Sequence, residues 1–98
     1  MAILQRIPVE PGVLEAFCKR WKIAKLEEFT EDYVVDADLH LLVTPAQNAN
    51  WSLFDFVNIE DELSVLLRRS VDLVSRGAVE GQERHQRLLA SARPFYGG

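Results

Sequence analysis

The sequence predicts an α/β (α+β) fold with the element order α-β-β-α-β-α, and three observations carry that prediction. Apolar residues recur at three- and four-residue steps near the start and again in the middle of the chain, which is helical spacing. Between them, Asp36, Asp38 and His40 alternate with Ala37, Leu39 and Leu41, which is strand spacing. A short apolar run, Val71 to Ser75, sits between two helical stretches, where a buried strand would lie.

Taken in order, Pro8 and Pro11-Gly12 punctuate the start. Val13, Leu14, Phe17 and Trp21 then mark a helix over 11–20, and Pro11 suits its first turn because a proline there gives up no needed N–H. The segment Trp21 to Phe29 reads as a strand on Trp21, Ile23 and Phe29, although Lys25-Leu26-Glu27-Glu28 would also suit a helix. Thr30-Glu31-Asp32 is a polar turn, and Tyr33 to Val43 is the clearest strand. Thr44-Pro45 ends it, followed by a loop at Gln47-Asn48-Ala49-Asn50.

Ser52 is a good helix N-cap with Asp55 in the first turn. Leu53, Phe56, Ile59, Leu63 and Leu66 make the buried stripe of that helix, while Asp55, Glu60, Asp61 and Glu62 stay wet. Arg68-Arg69 sits where a helix end welcomes positive charge. After the strand Val71 to Ser75, Gly77 marks a turn. Glu83 to Ala92 is a shorter helix anchored by Leu88 and Leu89, stopped by Pro94. The result is a three-stranded sheet with helices packed on it.

At 98 residues the chain is long enough for one core, and it is read as a single domain over 1–98. Eleven Lys and Arg against fifteen Asp and Glu leave a net charge of −4, which argues against general nucleic-acid binding through phosphates. No apolar run approaches the ~18 residues that cross a bilayer. Cys18 stands alone, so no internal disulfide is available. Met1 to Arg6 lacks the apolar core of a signal peptide, which makes the cytoplasm the default expectation. Cys18 reads as a small buried apolar group, and Gly97-Gly98 as a frayed end.

The residues that could carry chemistry are Asp36, Asp38 and His40 on one strand face, and Asp72 inside the apolar strand Val71-Asp72-Leu73-Val74. Carboxylates two apart on a strand point the same way, about 7 Å from each other. That spacing suits shared divalent ions, with a third carboxylate from a neighbouring strand. The plainer reading is that all of them line the wet face of a sheet. A carboxylate such as Asp72 must in either case find a cation, a hydrogen bond or water. Among other singular residues, His85 reads as a solvated helix position. The cluster Trp51-Ser52-Leu53-Phe54 reads as core, although exposure of Trp51 or Phe54 would mark an interface.

Several segments together resemble the minimal nucleotidyltransferases, small members of the polymerase-beta-like superfamily. They are Trp21-Lys22-Ile23, the run Asp36 to Val43, the helix Trp51 to Leu67, the strand Val71 to Val74, and Ala92 to Gly97. The resemblance spans about Val13 to the C-terminus. It implies a nucleotidyltransferase-like fold with a three-stranded mixed sheet. It implies an Asp-x-Asp strand and a third Asp on a later strand binding two magnesium ions, with a Gly-Ser turn holding the nucleotide. It also implies a small helical partner of the HEPN class, which the nucleotidyltransferase counters as antitoxin by adenylylating or binding it.

Residue by residue, Asp38 matches the first metal-binding Asp, His40 stands where the second should be, and Asp72 matches the third. A neutral imidazole offers magnesium neither charge nor a hard oxygen. The Gly-Ser turn is replaced by Leu26 to Tyr33, where Glu27, Glu28, Glu31 and Asp32 would repel a triphosphate. The expectation is therefore a nucleotidyltransferase homologue with a degraded site, acting as the antitoxin-like subunit of a HEPN-type partner. The competing expectation is an active enzyme that transfers a nucleoside monophosphate, with Asp38 and Asp72 as catalytic residues holding Mg2+. A zinc or manganese site formed by Asp38, His40 and Asp72, and a self-associating domain without ligand, complete the alternatives.

Overall fold

The computed structural model describes residues 10–30 and 36–97. Helix α1 (Pro11–Trp21) begins at Pro11 and ends where Lys22 turns left-handed at φ 60, its N–H returning to the carbonyls of Cys18 and Lys19. Lys19 and Arg20 in the last turn complement the helix dipole. Strand β1 (Ile23–Glu28) follows directly, and β2 (Leu39–Pro45) pairs antiparallel to it. Helix α2 (Leu53–Leu67) opens with a reciprocal cap: the Ser52 N–H donates to Asp55 Oδ2 at 2.9 Å, and the Asp55 N–H to Ser52 Oγ at 3.1 Å. It carries the chain over one face of the sheet to β3 (Val71–Ser75), which lies parallel to β2.

The rest of the chain differs from expectation. Gly77 lies not in a turn but in a one-turn helix, α3 (Arg76–Val79), tied by Arg76 Nε to Glu80 Oε2 at 2.8 Å. The expected helix over 83–92 is split into a 3-10 turn (Glu83–His85) and α4 (Gln86–Ser91). Pro94 does not merely stop a helix: Arg93–Tyr96 forms a fourth strand, β4, antiparallel to β1. The mixed sheet therefore has four strands in the order β3-β2-β1-β4, not three. A proline is tolerated there because β4 is an edge. Gly97 is not frayed either. Its φ is 74, and a Cβ at that position would come within 2.5 Å of the Ala24 carbonyl oxygen, so the close approach of this segment to β1 requires glycine.

Alternation sorts the strand residues between two apolar layers. Leu39, Leu41, Val43, Val71 and Leu73 point toward α1 and α2, where they meet Leu14, Phe17, Ile59, Leu63 and Leu67. On the opposite face Leu42 and Val74 meet Phe29, Val79 and Leu88. Leu53 departs from the expected buried stripe of α2 and is exposed. The outer edge of β3 is closed by α2. The Val71 N–H donates to Ser64 Oγ at 3.1 Å, and the Leu73 N–H to Glu60 Oε2 at 2.8 Å. Side chains thus occupy donors that would otherwise offer a template for another strand.

Candidate functional site

The site grows from the parallel pairing of β2 and β3, which sets His40 beside Asp72 and Leu42 beside Val74. These residues share the face away from α1 and α2. His40 Nδ1 lies 3.2 Å from Asp72 Oδ2, and both side chains are largely covered. The carboxylate fixes one edge of the imidazole, as it would in an ion pair or a neutral hydrogen bond. The Phe29 ring leans on the imidazole, centroids 5.5 Å apart, and the Phe29 N–H donates to the His40 carbonyl at 3.1 Å. Asp72 has therefore found the partner that its apolar strand demands.

Asp38 is placed differently from the sequence expectation. The strand begins at Leu39, so Asp36 and Asp38 lie before it instead of on its face. The Asp38 N–H donates to Ser70 Oγ at 2.8 Å, and the Ser70 N–H lies 3.4 Å from Asp38 Oδ2. This reciprocal link ties the entry of β2 to the entry of β3 and turns the Asp38 carboxylate toward backbone. The start of the predicted strand, residues 33–35, lies outside the described residues, as do Glu31 and Asp32 of the predicted turn before it.

Among the described residues, no three His, Cys, Asp or Glu side chains are grouped so as to hold a metal ion. The donor chemistry points the same way for magnesium. That ion asks for oxygen ligands in near-octahedral array, and here one position offers nitrogen while both carboxylates face protein donors.

The acidic segment is also less bare than its sequence implies. Arg76 Nη1 holds Glu27 Oε1 at 2.6 Å, with Lys25 Nζ at 3.9 Å. The bonds to Glu80 and then to Glu27 raise the Arg76 guanidinium above its ordinary value, so it stays charged. Glu27 thus contributes little to a field against phosphate, which corrects the charge count made on sequence. Sequence reasoning did not find Ser70, Phe29 or Arg76 as neighbours of this region. The first two are set by strand ends and register, and Arg76 reaches Glu27 across 49 positions of chain.

The other singled-out residues settle as follows. Cys18 is fully buried, and burial pushes its thiol up to about 12. Arg68 ends α2 in the left-handed region at φ 56. His85 is half-buried in the 3-10 turn. Trp51 is half-buried and donates from Nε1 to the Trp21 carbonyl at 2.8 Å, whereas Phe54 is 81% exposed and so departs from the core reading. No helix among the described residues is long and apolar enough to cross a membrane.

No protein-family profile and no curated protein sequence matches this chain. Solved structures do. A protein assigned as a minimal nucleotidyltransferase superposes with a TM-score of 0.61 and 24% identity, covering 86% of this chain and 87% of that one. The structure of the toxin-antitoxin MntA-HpeT in a mutant form contains a chain with a TM-score of 0.60 and 11% identity, covering 92% of this chain and 75% of that one. The chain thus has the nucleotidyltransferase-like fold, and one of its structural neighbours belongs to a toxin-antitoxin pair.

Proposed function

We propose that this chain is a minimal nucleotidyltransferase homologue whose catalytic site has decayed, and that it serves as the antitoxin-like binding subunit of a HEPN-type helical partner. The observation that carries the reading is the His40–Asp72 pair. Where an active enzyme would present two carboxylates to magnesium, an imidazole takes one place and uses up the other. The sequence adds a second loss, since no Gly-Ser turn precedes β2. Asp38, Asp72 and His40 are on this reading structural remnants of the metal site. The partner half draws on the toxin-antitoxin neighbour, and a binding subunit needs the fold but not the chemistry.

The test is co-expression with a HEPN-type protein encoded beside this chain. The two are expected to co-purify, the toxin to be neutralised, and its mass to remain unmodified by ATP and magnesium. An Asp38→Ala, Asp72→Ala double variant is expected to neutralise equally well. Adenylylation of the partner that disappears in this double variant would restore the active-enzyme reading.

A further inference from the structure

Every large apolar side chain that is exposed among the described residues belongs to α1 or α2: Val13 at 45%, Leu53 at 77%, Phe54 at 81%, Val57 at 45% and Val65 at 79%. These helices form one layer, and its outer surface also contains a groove of about 310 Å3 lined by Phe17, Arg20, Glu62, Val65 and Leu66. Four of these five side chains, Leu53, Phe54, Val57 and Val65, lie on α2, and exposed apolar groups gathered on one element mark an interaction surface. The donors at the outer edge of β3 are already taken by Ser64 and Glu60, which removes strand addition there as the use of this surface.

We propose that a second copy of this chain covers this surface, helix layer on helix layer, with α2 antiparallel to its mate and Phe54 of each copy seated in the groove of the other. A two-fold contact requires that one patch carry both a protrusion and its receptacle. Here the most exposed aromatic and the groove lie on the same helix, 11 residues apart. Residues 53, 57, 61 and 65 form one i+4 ridge and 54, 58, 62 and 66 the next, the rows that interdigitate in the commonest helix packing.

Charge agrees with this register. Asp61 follows Phe54 by seven residues and Asn58 precedes Val65 by seven. Seating Phe54 against Val65 of the mate therefore sets Asp61 opposite an amide, not opposite a carboxylate. Glu62, which flanks the groove, is already neutralised by Arg20 at 2.6 Å and by the Trp21 indole N–H at 3.1 Å. Arg20 stacks over the Phe17 ring at 5.7 Å and would offer its guanidinium to the incoming ring as well.

The proposal is independent of what His40 and Asp72 do. Sedimentation equilibrium of the full chain over a concentration series tests it. The expected mass is twice the 11.2 kDa of the chain. Phe54→Asp and Val65→Lys, both at exposed positions, are each expected to weaken the dimer about 10-fold or more with unchanged circular dichroism, the effect of losing a central anchor. Combining them sets acid against base in the proposed register and is expected to restore the dimer. A chain that stays monomeric at the highest concentration overturns the proposal. So does a dimer that Phe54→Asp leaves intact, a double variant that stays monomeric, or an apolar surface that is covered only by a different protein.

Discussion

His40 and Asp72 sit opposite each other across the parallel β2–β3 pair, Nδ1 to Oδ2 at 3.2 Å. One hydrogen-bonded pair thus satisfies a carboxylate in a strand that is otherwise apolar. On the proposed reading, it also stands where two carboxylates would need a divalent cation between them. On the same proposed reading, the imidazole at 40 favours a stable pair over metal binding.

Replacing His40 by Asp should expose that choice. Two carboxylates would face each other with little water, and like charges directly opposite on a sheet repel. The variant is expected to lose about 1–3 kcal/mol, read as a Tm lower by roughly 5–15 °C. Millimolar magnesium should recover part of that loss in His40→Asp and leave the wild-type Tm unchanged. Scanning fluorimetry with and without EDTA checks both halves.

Glu60 and Ser64 are expected to guard the β3 edge. Glu60→Ala leaves the Leu73 N–H without its acceptor, a loss of about 1–3 kcal/mol for a covered donor. Hydrogen exchange at Leu73 should quicken, and the protein should aggregate more readily through the opened edge. Glu60→Gln keeps an acceptor oxygen and should restore most of the protection.

Cys18 makes the fold sensitive to alkali. Burial pushes its thiol from the ordinary value of 9.0 up to about 12 in the fold. Below pH 9 both states hold the proton and the group is silent. Between these values only the unfolded state releases it, so stability falls as pH rises, by about 1.4 kcal/mol per unit. The difference between wild type and Cys18→Ala in urea melts from pH 8 upward should show this slope. In the native state at neutral pH the thiol should resist alkylating reagents.

Gly97→Ala is expected to loosen β4. Its left-handed φ and the 2.5 Å approach to the Ala24 carbonyl leave no place for a methyl group, and such strain costs on the order of 1–3 kcal/mol. The loss should appear as faster exchange along Arg93–Tyr96, with α2 and β3 unaffected.

Much of this fold was readable because local signals agreed. Pro11 and Ser52 start their helices as their chemistry predicts, and the Val71 to Ser75 run is the strand it looks like. β4 was hidden because Pro94 also reads as a helix stop, and only its edge position reconciles a proline with a ladder. Gly77 looked like a turn because the Arg76–Glu80 contact that closes a helical turn there depends on side-chain geometry. The candidate site was legible as a list of residues and not as an arrangement. Alternation put Asp38 on the face of His40, but Ser70 draws it to the mouth of the strands. The His40–Asp72 contact depends on the β2–β3 pairing, which joins residues 32 positions apart in the chain.

Calorimetric titration of the wild-type chain with ATP in excess magnesium shows whether Asp38 and Asp72 still hold a metal and its nucleotide. A decayed site should give no saturable heat, and an Asp38→Ala trace that overlays the wild type. Saturable binding that is lost in Asp38→Ala and in Asp72→Ala would show that these carboxylates still hold a metal and its nucleotide, and would contradict it.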